Sequence, residues 1–372
     1  MTVLPSAGRT FRASLLTPDR ATRKLRYFED AIFSVGADGR IRSLDSASAV
    51  LARGELGVVR DLRPGLVVPG YVDAHVHFPQ TRVIGSATGP LLDWLSSTIF
   101  PEEARFRDEA YAEAVAAEMV HRFFANGTTA AAVYSSSDPG ATRVLAGALG
   151  RAGMRGLVGL TLMDRGCPAE LAVAADVALP EARALAREVG ESSSGRLAFA
   201  VTPRFALSCS RALMEGAARL ADELGLFVQT HVAENAREGV ETLAAHPIAD
   251  DYLGVYEAVG LVGPRTIFAH AIHFSQSEWD RIAARGARIA HCPDSNFFLG
   301  SGVMKLDEAT RRGVPTALGS DVAAGRSFSM RRAIAHAHDA ALASGSTASP
   351  ATLFTMATLG GAELLGLGDV AG

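Results

Sequence analysis

The feature that most constrains the fold is a regular alternation, beyond residue 65, of short apolar runs with longer amphipathic segments. Eight apolar runs occupy 66–76, 128–134, 154–161, 196–202, 226–231, 265–270, 287–291 and 314–319. Helix-like segments fill the intervals at 102–125, 139–151, 169–189, 210–224, 235–245, 275–285 and 327–343. Gly127, Gly153, Gly225, Gly286 and Gly313 fall where a helix must stop before the next run. Strands alternating with helices imply a parallel sheet. Eight repeats favour a closed, TIM-like (β/α)8 barrel, an α/β fold. A doubly wound open sheet is the alternative, but no G-x-G-x-x-G follows the first run to support a dinucleotide site. With 372 residues, 48% of them hydrophobic, the chain exceeds the roughly 250 residues of a barrel and has room for a second unit.

That unit is expected at 1–65, ahead of a barrel at 66–372. Ala31-Ile32-Phe33-Ser34-Val35 and Arg40-Ile41 flank Asp38-Gly39, a hairpin signal between apolar segments. Val58 to Leu62 reads as a further strand. Together these segments predict a small β-sandwich unit.

Charge and cysteine usage exclude several classes. A formal net charge of -4 leaves no basic stripe for nucleic acid. Cys167, Cys209 and Cys292 are widely spaced and form no C-x-x-C. That argues against a disulfide framework or a structural zinc knuckle and predicts a reducing, cytoplasmic setting. The first residues lack the apolar core of a signal peptide, and no run approaches the length of a membrane span.

The chemistry collects at the ends of the apolar runs. In a (β/α)8 barrel the active site lies at the carboxyl ends of the strands. Run one ends in His75-x-His77, whose two imidazoles share one side of a strand. Run four ends in Thr202-Pro203-Arg204-Phe205, run five in His231 with Glu234 three residues on, and run six in His270. Run seven ends in His291-Cys292-Pro293-Asp294-Ser295-Asn296, and run eight in Gly319-Ser320-Asp321. His75, His77, His231 and Asp321 make an N3O ligand set for a divalent metal, with a coordination position left for water. Such an ion lowers the pKa of bound water to roughly 7. Glu234 is placed to pass protons without being a ligand. His270 is either a hydrogen-bond partner of the reacting oxygen or a further ligand. Arg204, a fixed cation with a planar donor fork, suits a substrate carbonyl or carboxylate.

Ordinary readings compete at each of these positions. His75 and His77 could form a polar turn, and His231 with Glu234 a surface pair. Asp321 could cap the helical segment that follows it. His273 competes with His270 for the end of run six. His291 is open between pocket wall and a supporting position behind the ligands. His336-x-His338 repeats the H-x-H spacing, but it lies mid-helix, where residues two apart diverge. His121 and His246 fall in helical stretches and read as structural or solvated. Cys292 reads as a small packed residue, since nothing marks it as an activated nucleophile.

From residue 60 onward the chain resembles the amidohydrolase superfamily and, within it, the guanine deaminases. The broader motifs are Pro69-Gly70-x-Val72-Asp73-x-His75-x-His77 and the histidines and aspartate at runs five, six and eight. The narrower ones are His77-Phe78-Pro79-Gln80, Leu91-Leu92-x-Trp94-Leu95, Phe100-Pro101-x-Glu103-x-Arg105-Phe106 and Thr202-Pro203-Arg204-Phe205. His231-x-x-Glu234-Asn235 and Cys292-Pro293-x-Ser295-Asn296 belong with them. The resemblance implies zinc-dependent hydrolysis of guanine to xanthine and ammonia, with one Zn2+ per chain; Fe2+ suits the same ligands. It implies that Glu234 carries a proton to the purine ring, that Asp321 accepts the proton of water, and that His270 stands near the metal. It further implies that Gln80 and Arg204 hydrogen-bond the purine, that Phe205 and Trp94 wall the pocket, and that the protein is a homodimer. The only lysines, Lys24 and Lys305, lie far from any site strand, in keeping with a one-metal subgroup. The signature of the other zinc nucleobase deaminases, H-x-E with P-C-x-x-C, is absent.

Members of this family continue beyond the last helix with strands that complete the small sandwich, whereas this sequence stops at Gly372. The expectation is therefore a sandwich lacking its C-terminal strands. Ser320 and Asp294 stand where threonine is the family residue. Two further functions compete with guanine deamination. One is hydrolysis of another amino- or chloro-substituted heterocycle, such as 8-oxoguanine, a pterin or a triazine. The other is metal binding without turnover. Residues 81–106 and 294–303 are the expected loops beside the pocket.

Overall fold

The structure, a computed structural model, describes residues 8–54, 58–87 and 89–372. Strands β1 (Arg9–Pro18), β2 (Leu25–Val35), β3 (Ile41–Ser46) and β4 (Val59–Val67) form one sheet in the order β3-β2-β1-β4. β2 and β3 meet through the expected turn, where Gly39 adopts φ +77 and Gly36 N–H donates to Arg40 O. Phe11, Phe28, Phe33 and Leu44 pack around Leu15 and Ala31 on one face of this sheet. Leu66 and Val67 pair with Ser14 and Leu15 in this sheet, so the first part of the 66–76 run is not barrel strand. Pro69 and Gly70 separate the two sheets.

The barrel strands are β5 (Tyr71–His77), β6 (Thr128–Tyr134), β7 (Arg155–Gly159), β9 (Leu197–Pro203), β10 (Phe227–Val232), β11 (Thr266–His270), β12 (Arg288–His291) and β13 (Thr316–Leu318); a two-residue β8 (Thr161–Leu162) pairs beside β9. Their order is β13-β12-β11-β10-β9-β7-β6-β5, all parallel. The ends join just past β13, where Asp321 N–H donates to His75 O at 2.9 Å and His77 N–H to Val322 O at 3.3 Å. A side chain at Gly319 would place Cβ 2.8 Å from His75 Cβ and 2.9 Å from Cys292 Sγ, so glycine permits this approach.

Small apolar residues fill the barrel interior: Ala74, Ala130, Ala132, Ala200, Ala269, Ala290 and Ala317, with Val72, Leu157 and Ile267. Leu364 and Leu365, from the chain's last helical turn, pack onto the same interior, so the barrel is a filled core rather than a channel. A second apolar layer lies between strands and helices and includes Phe123, Phe199, Phe268 and Trp279. Arg23 with Glu363, at 2.7 Å, and Arg20 with Asp369, at 3.1 Å, tie the β1–β2 connection to the C-terminal segment.

From Leu91 onward the connection between β5 and β6 is largely helical rather than loop-like. Leu91–Trp94 forms a short helix, Leu95–Ile99 a π-helical turn, and Phe100–Ala104 a further helical turn. Asp108 then caps a long helix, Glu109–Ala125, by accepting from Ala110 N and Tyr111 N.

Candidate active site

The strand ends deliver their side chains to one point. His75 and His77 alternate along β5 and both reach it. His75 Nε2 lies 3.2 Å from Asp321 Oδ1, and His77 Nε2 lies 3.4 Å from the same oxygen. His77 Nε2 is 3.1 Å from His231 Nε2. His75, His231, His270 and Asp321 each offer an atom within 4.8 Å of the others'. All five residues are at least nine-tenths buried.

The proton positions in this cluster are set from behind. His231 Nδ1 donates to Arg204 O at 2.6 Å, leaving Nε2 with its lone pair toward the cluster. His270 Nδ1 faces Asn296 Oδ1 at 2.9 Å, which leaves His270 Nε2 in the same state. His75 Nε2 and His270 Nε2 are buried with no hydrogen-bond partner among the described residues. Burial also lowers the pKa of His75 and His231 and takes His77 down to about 3, so these imidazoles are neutral. For Asp321 burial pushes upward, but the adjacent imidazoles of His75 and His77 outweigh it and hold the carboxyl well below the usual range. Converging lone pairs with few protons between them are the donor set of a divalent transition metal. The residues present therefore fit a resident metal ion.

Backbone conformation supports the same assembly. His270 (φ 77), Asp321 (φ 48) and Ala233 (φ 48) are left-handed, as is Ala271 (φ 51). Non-glycine residues adopt that region at a free-energy cost, and clusters of them mark functional sites. Asp321 does not cap a helix: the next one begins at Met330, nine residues on.

Beside this cluster lies a cavity lined by Gln80, Leu91, Trp94, Leu95, Arg204, Phe205, Glu234, Glu238 and Ala324, together with His77, His231 and Asp321. Gln80 Oε1 accepts from Ala323 N–H at 3.0 Å, which fixes the amide and leaves its NH2 to donate. Trp94 Nε1 donates to Ser86 Oγ at 3.2 Å and holds the indole in the wall. Glu234 is buried, 3.4 Å from His270 Nε2. Burial, with Asp321 and Glu238 nearby, raises its pKa well above the usual carboxyl value. Such a group holds its proton more readily than an exposed carboxyl does, as a proton carrier must.

Four supporting residues carry functions that the sequence reading left unassigned. Glu103 holds the Arg204 side chain through Nη1, and Asn296 holds His270. Glu238 accepts from the backbone N–H of Glu234 and Asn235, each at 3.1 Å, and from Tyr252 OH. Asp73 Oδ1 accepts from Ser320 N at 2.8 Å and His75 N at 3.3 Å, linking β5 to the loop after β13. The signals available were Glu238 as the fourth residue of an Asn-x-x-Glu capping box, and Glu103 and Asn296 as polar residues inside quoted motifs.

The remaining histidines take other places. His273 Nε2 donates to Ser301 O at 2.9 Å and stays outside the cluster. His291 is fully buried, neither ring nitrogen has a partner among the described residues, and it does not line the cavity. His336 Nδ1 meets Asp294 Oδ1 at 3.2 Å while His338 Nδ1 meets Ala348 O, so the second H-x-H diverges as helical spacing requires. His246 is buried against Ala206 O. Cys292 is buried, which pushes its thiol pKa well up and leaves it inert.

Residues 66–372 match the profile of the amidohydrolase family. The chain is 38% identical over 315 residues to a guanine deaminase of Escherichia coli (strain K12), covering 84% of this chain and 71% of the relative. It is 37% identical over 369 residues to a probable guanine deaminase of Deinococcus radiodurans, covering 96% and 84%. Its fold superimposes with a TM-score of 0.90 on the crystal structure of guanine deaminase from C. acetobutylicum with bound guanine in the active site, at 31% identity, covering 96% of this chain and 87% of that one.

Proposed function

The chain belongs to the amidohydrolase family, and from that premise we propose that it hydrolyses the exocyclic C–N bond of guanine, releasing xanthine and ammonia. The observation that carries this reading is the cavity itself. It joins a metal-type donor cluster to a donor amide (Gln80), a guanidinium (Arg204), two aromatic walls (Trp94, Phe205) and a buried acid (Glu234).

We propose that His75, His77, His231 and Asp321 hold one Zn2+, with His270 close to it; the neutral imidazoles and the ionised Asp321 support this assignment. When bound, the ion supplies Lewis acidity that makes water nucleophilic near neutral pH. Asp321 then accepts a proton from the attacking water. Glu234 delivers a proton to the ring nitrogen beside the attacked carbon, which its raised pKa permits. His270 donates no proton from Nε2, since Nδ1 carries it, and instead presents a lone pair to the centre. Gln80 NH2 and the open edge of Arg204 orient the purine through its acceptors, and Phe205 and Trp94 cover its faces and exclude water.

The division of the chain into a small β unit at 1–65 and a barrel at 66–372 is part of this proposal, with Leu66 and Val67 at the junction still paired in the small sheet. So are a homodimeric state and a cytoplasmic setting, the last supported by the free thiols of Cys167, Cys209 and Cys292. The experiment is ammonia release from guanine by zinc-loaded protein, beside Glu234→Gln. Turnover that collapses in the variant while zinc stays bound is the expected result. Turnover of a pterin or a triazine instead of guanine would replace the substrate and keep the chemistry.

A further inference from the structure

The guanidinium of Arg204 does not face the cavity as a free cation. Its Nη1 donates to both oxygens of Glu103, at 2.7 and 2.6 Å. Both side chains are almost fully buried, 4% and 2% exposed. Glu103 lies on the turn Phe100–Ala104, which also places the Phe100 ring 5.4 Å from Arg204 Cζ. Arg204 Nε and Nη2 have no protein partner among the described residues, and the residue lines the cavity. The fork is therefore held at one nitrogen and open at two. Buried ion pairs are close to neutral for stability, because desolvation offsets attraction. Stability alone gives no reason for this one.

We propose that Glu103 sets the charge preference of the pocket: it cancels the charge of Arg204 while leaving its donors open, so the site favours a neutral purine over an anionic one. The inference rests on the guanine-deaminase reading above. Guanine is neutral near pH 7. In its deamination product the amino-bearing carbon becomes a second carbonyl, so a ring N–H lies between two carbonyls, and that ring is the more acidic. An uncompensated guanidinium in a buried pocket would select the ring that carries negative charge, product included. A compensated one hydrogen-bonds a carbonyl oxygen in either ring with little regard to net charge. The other ionisable groups facing the cavity, Glu234, Glu238, Asp321 and the ligand histidines, are common to the native protein and the variants below.

The test compares two purines that lack the exocyclic amine: hypoxanthine, neutral near pH 7, and urate, a monoanion. Their affinities are measured as inhibition of guanine turnover and, independently, by calorimetry on zinc-loaded protein. In Glu103→Gln the urate-to-hypoxanthine affinity ratio is expected to rise about tenfold or more over the native ratio, a modest fraction of what one uncompensated buried charge can exert. Glu103→Asp, which keeps the charge, is expected to return the ratio toward native. Should Glu103→Gln not fold, Arg204→Gln tests the same idea with opposite sign, because Glu103 is then uncompensated and the ratio should fall. An unchanged ratio in whichever of these two variants folds overturns the proposal, including the case in which both ligands weaken together, which is what mere positioning would produce. Absence of guanine turnover in native protein would sink the substrate reading, while the calorimetric ratio still decides the role of Glu103.

Discussion

Asp321 meets His75 twice: its backbone N–H donates to His75 O at 2.9 Å, and its Oδ1 lies 3.2 Å from His75 Nε2. The first contact is part of the seam that closes β13 against β5. The second is part of the proposed metal cluster. Barrel closure and ligand geometry thus meet in the same pair of residues, so what stabilises one acts on the other.

Metal removal should therefore be felt by the whole fold. A ligand present at a thousand times its Kd stabilises the folded state by about 4 kcal/mol. For a chain of this size that corresponds to a fall in Tm on the order of 5 °C on chelation. Differential scanning calorimetry with and without chelator measures it. Asp321→Ala should abolish the difference, since its loss removes both ligand and metal response; a full chelation shift in that variant would separate closure from the metal.

Glu234→Gln should reduce kcat by roughly 10²- to 10⁴-fold, the usual contribution of a positioned proton carrier, with zinc content unchanged. The same residue shapes the pH profile. To deliver a proton to the ring Glu234 must begin protonated, so activity falls as pH rises through its pKa. Burial first, then Asp321 and Glu238, raise that pKa. The alkaline limb set by Glu234 should therefore lie above the range of an exposed carboxyl. Glu238→Gln removes one of the two neighbouring carboxylates and should move the limb to lower pH; a limb that stays put would assign it to another group.

How much of this was legible in the sequence follows from the range of the interactions involved. The eight strands and the residues at their ends could be read because short continuous apolar runs and terminal glycines are local signals. His75, His77, His231, His270 and Asp321 followed from position on those runs. The 102–125 helix was half legible: Asp108 breaks it, and the helix starts at Glu109, because a capping aspartate satisfies the first turn there. The 169–189 segment begins late, at Ala175, after Pro168 and an irregular stretch. The helix Tyr252–Ala258, capped by Asp251, went unread because its seven residues span too few turns to show a period. The pairing of Glu103 with Arg204 bridges 101 positions, and that of His270 with Asn296 bridges 26. No local pattern reports either, since tertiary packing alone brings them together.

Asp73 gives a stability prediction with a definite sign. It is fully buried, one of its oxygens lacks a partner among the described residues, and burial raises its pKa to about 6 against 3.8. The native state therefore holds a proton that the unfolded chain releases between those values, and stability falls as pH rises across that window. Two units correspond to about 3 kcal/mol at most. Asp73→Asn keeps an oxygen for Ser320 N–H and His75 N–H and cannot ionise. In metal-free protein its Tm should decline less than the native Tm between pH 4 and 6.5; parallel curves would show that Asp73 titrates as an ordinary carboxyl.

Asn296 separates ligand orientation from ligand identity. Its Oδ1 is the partner of His270 Nδ1, whereas His231 is oriented by a main-chain carbonyl that no substitution removes. Groups behind a metal-binding imidazole fix its tautomer and typically govern affinity by about 10- to 100-fold. Asn296→Ala should thus free the His270 ring, let the proton move to Nε2, and weaken zinc binding by an amount in that range if His270 is a ligand. Competition with a chromophoric chelator reads the affinity directly. An unchanged zinc affinity combined with a lowered kcat would place His270 beside the reacting atoms rather than on the metal. Asn296→Asp provides the control: a carboxylate accepts from Nδ1 more strongly, keeps the proton there, and should leave zinc affinity at or above the native value.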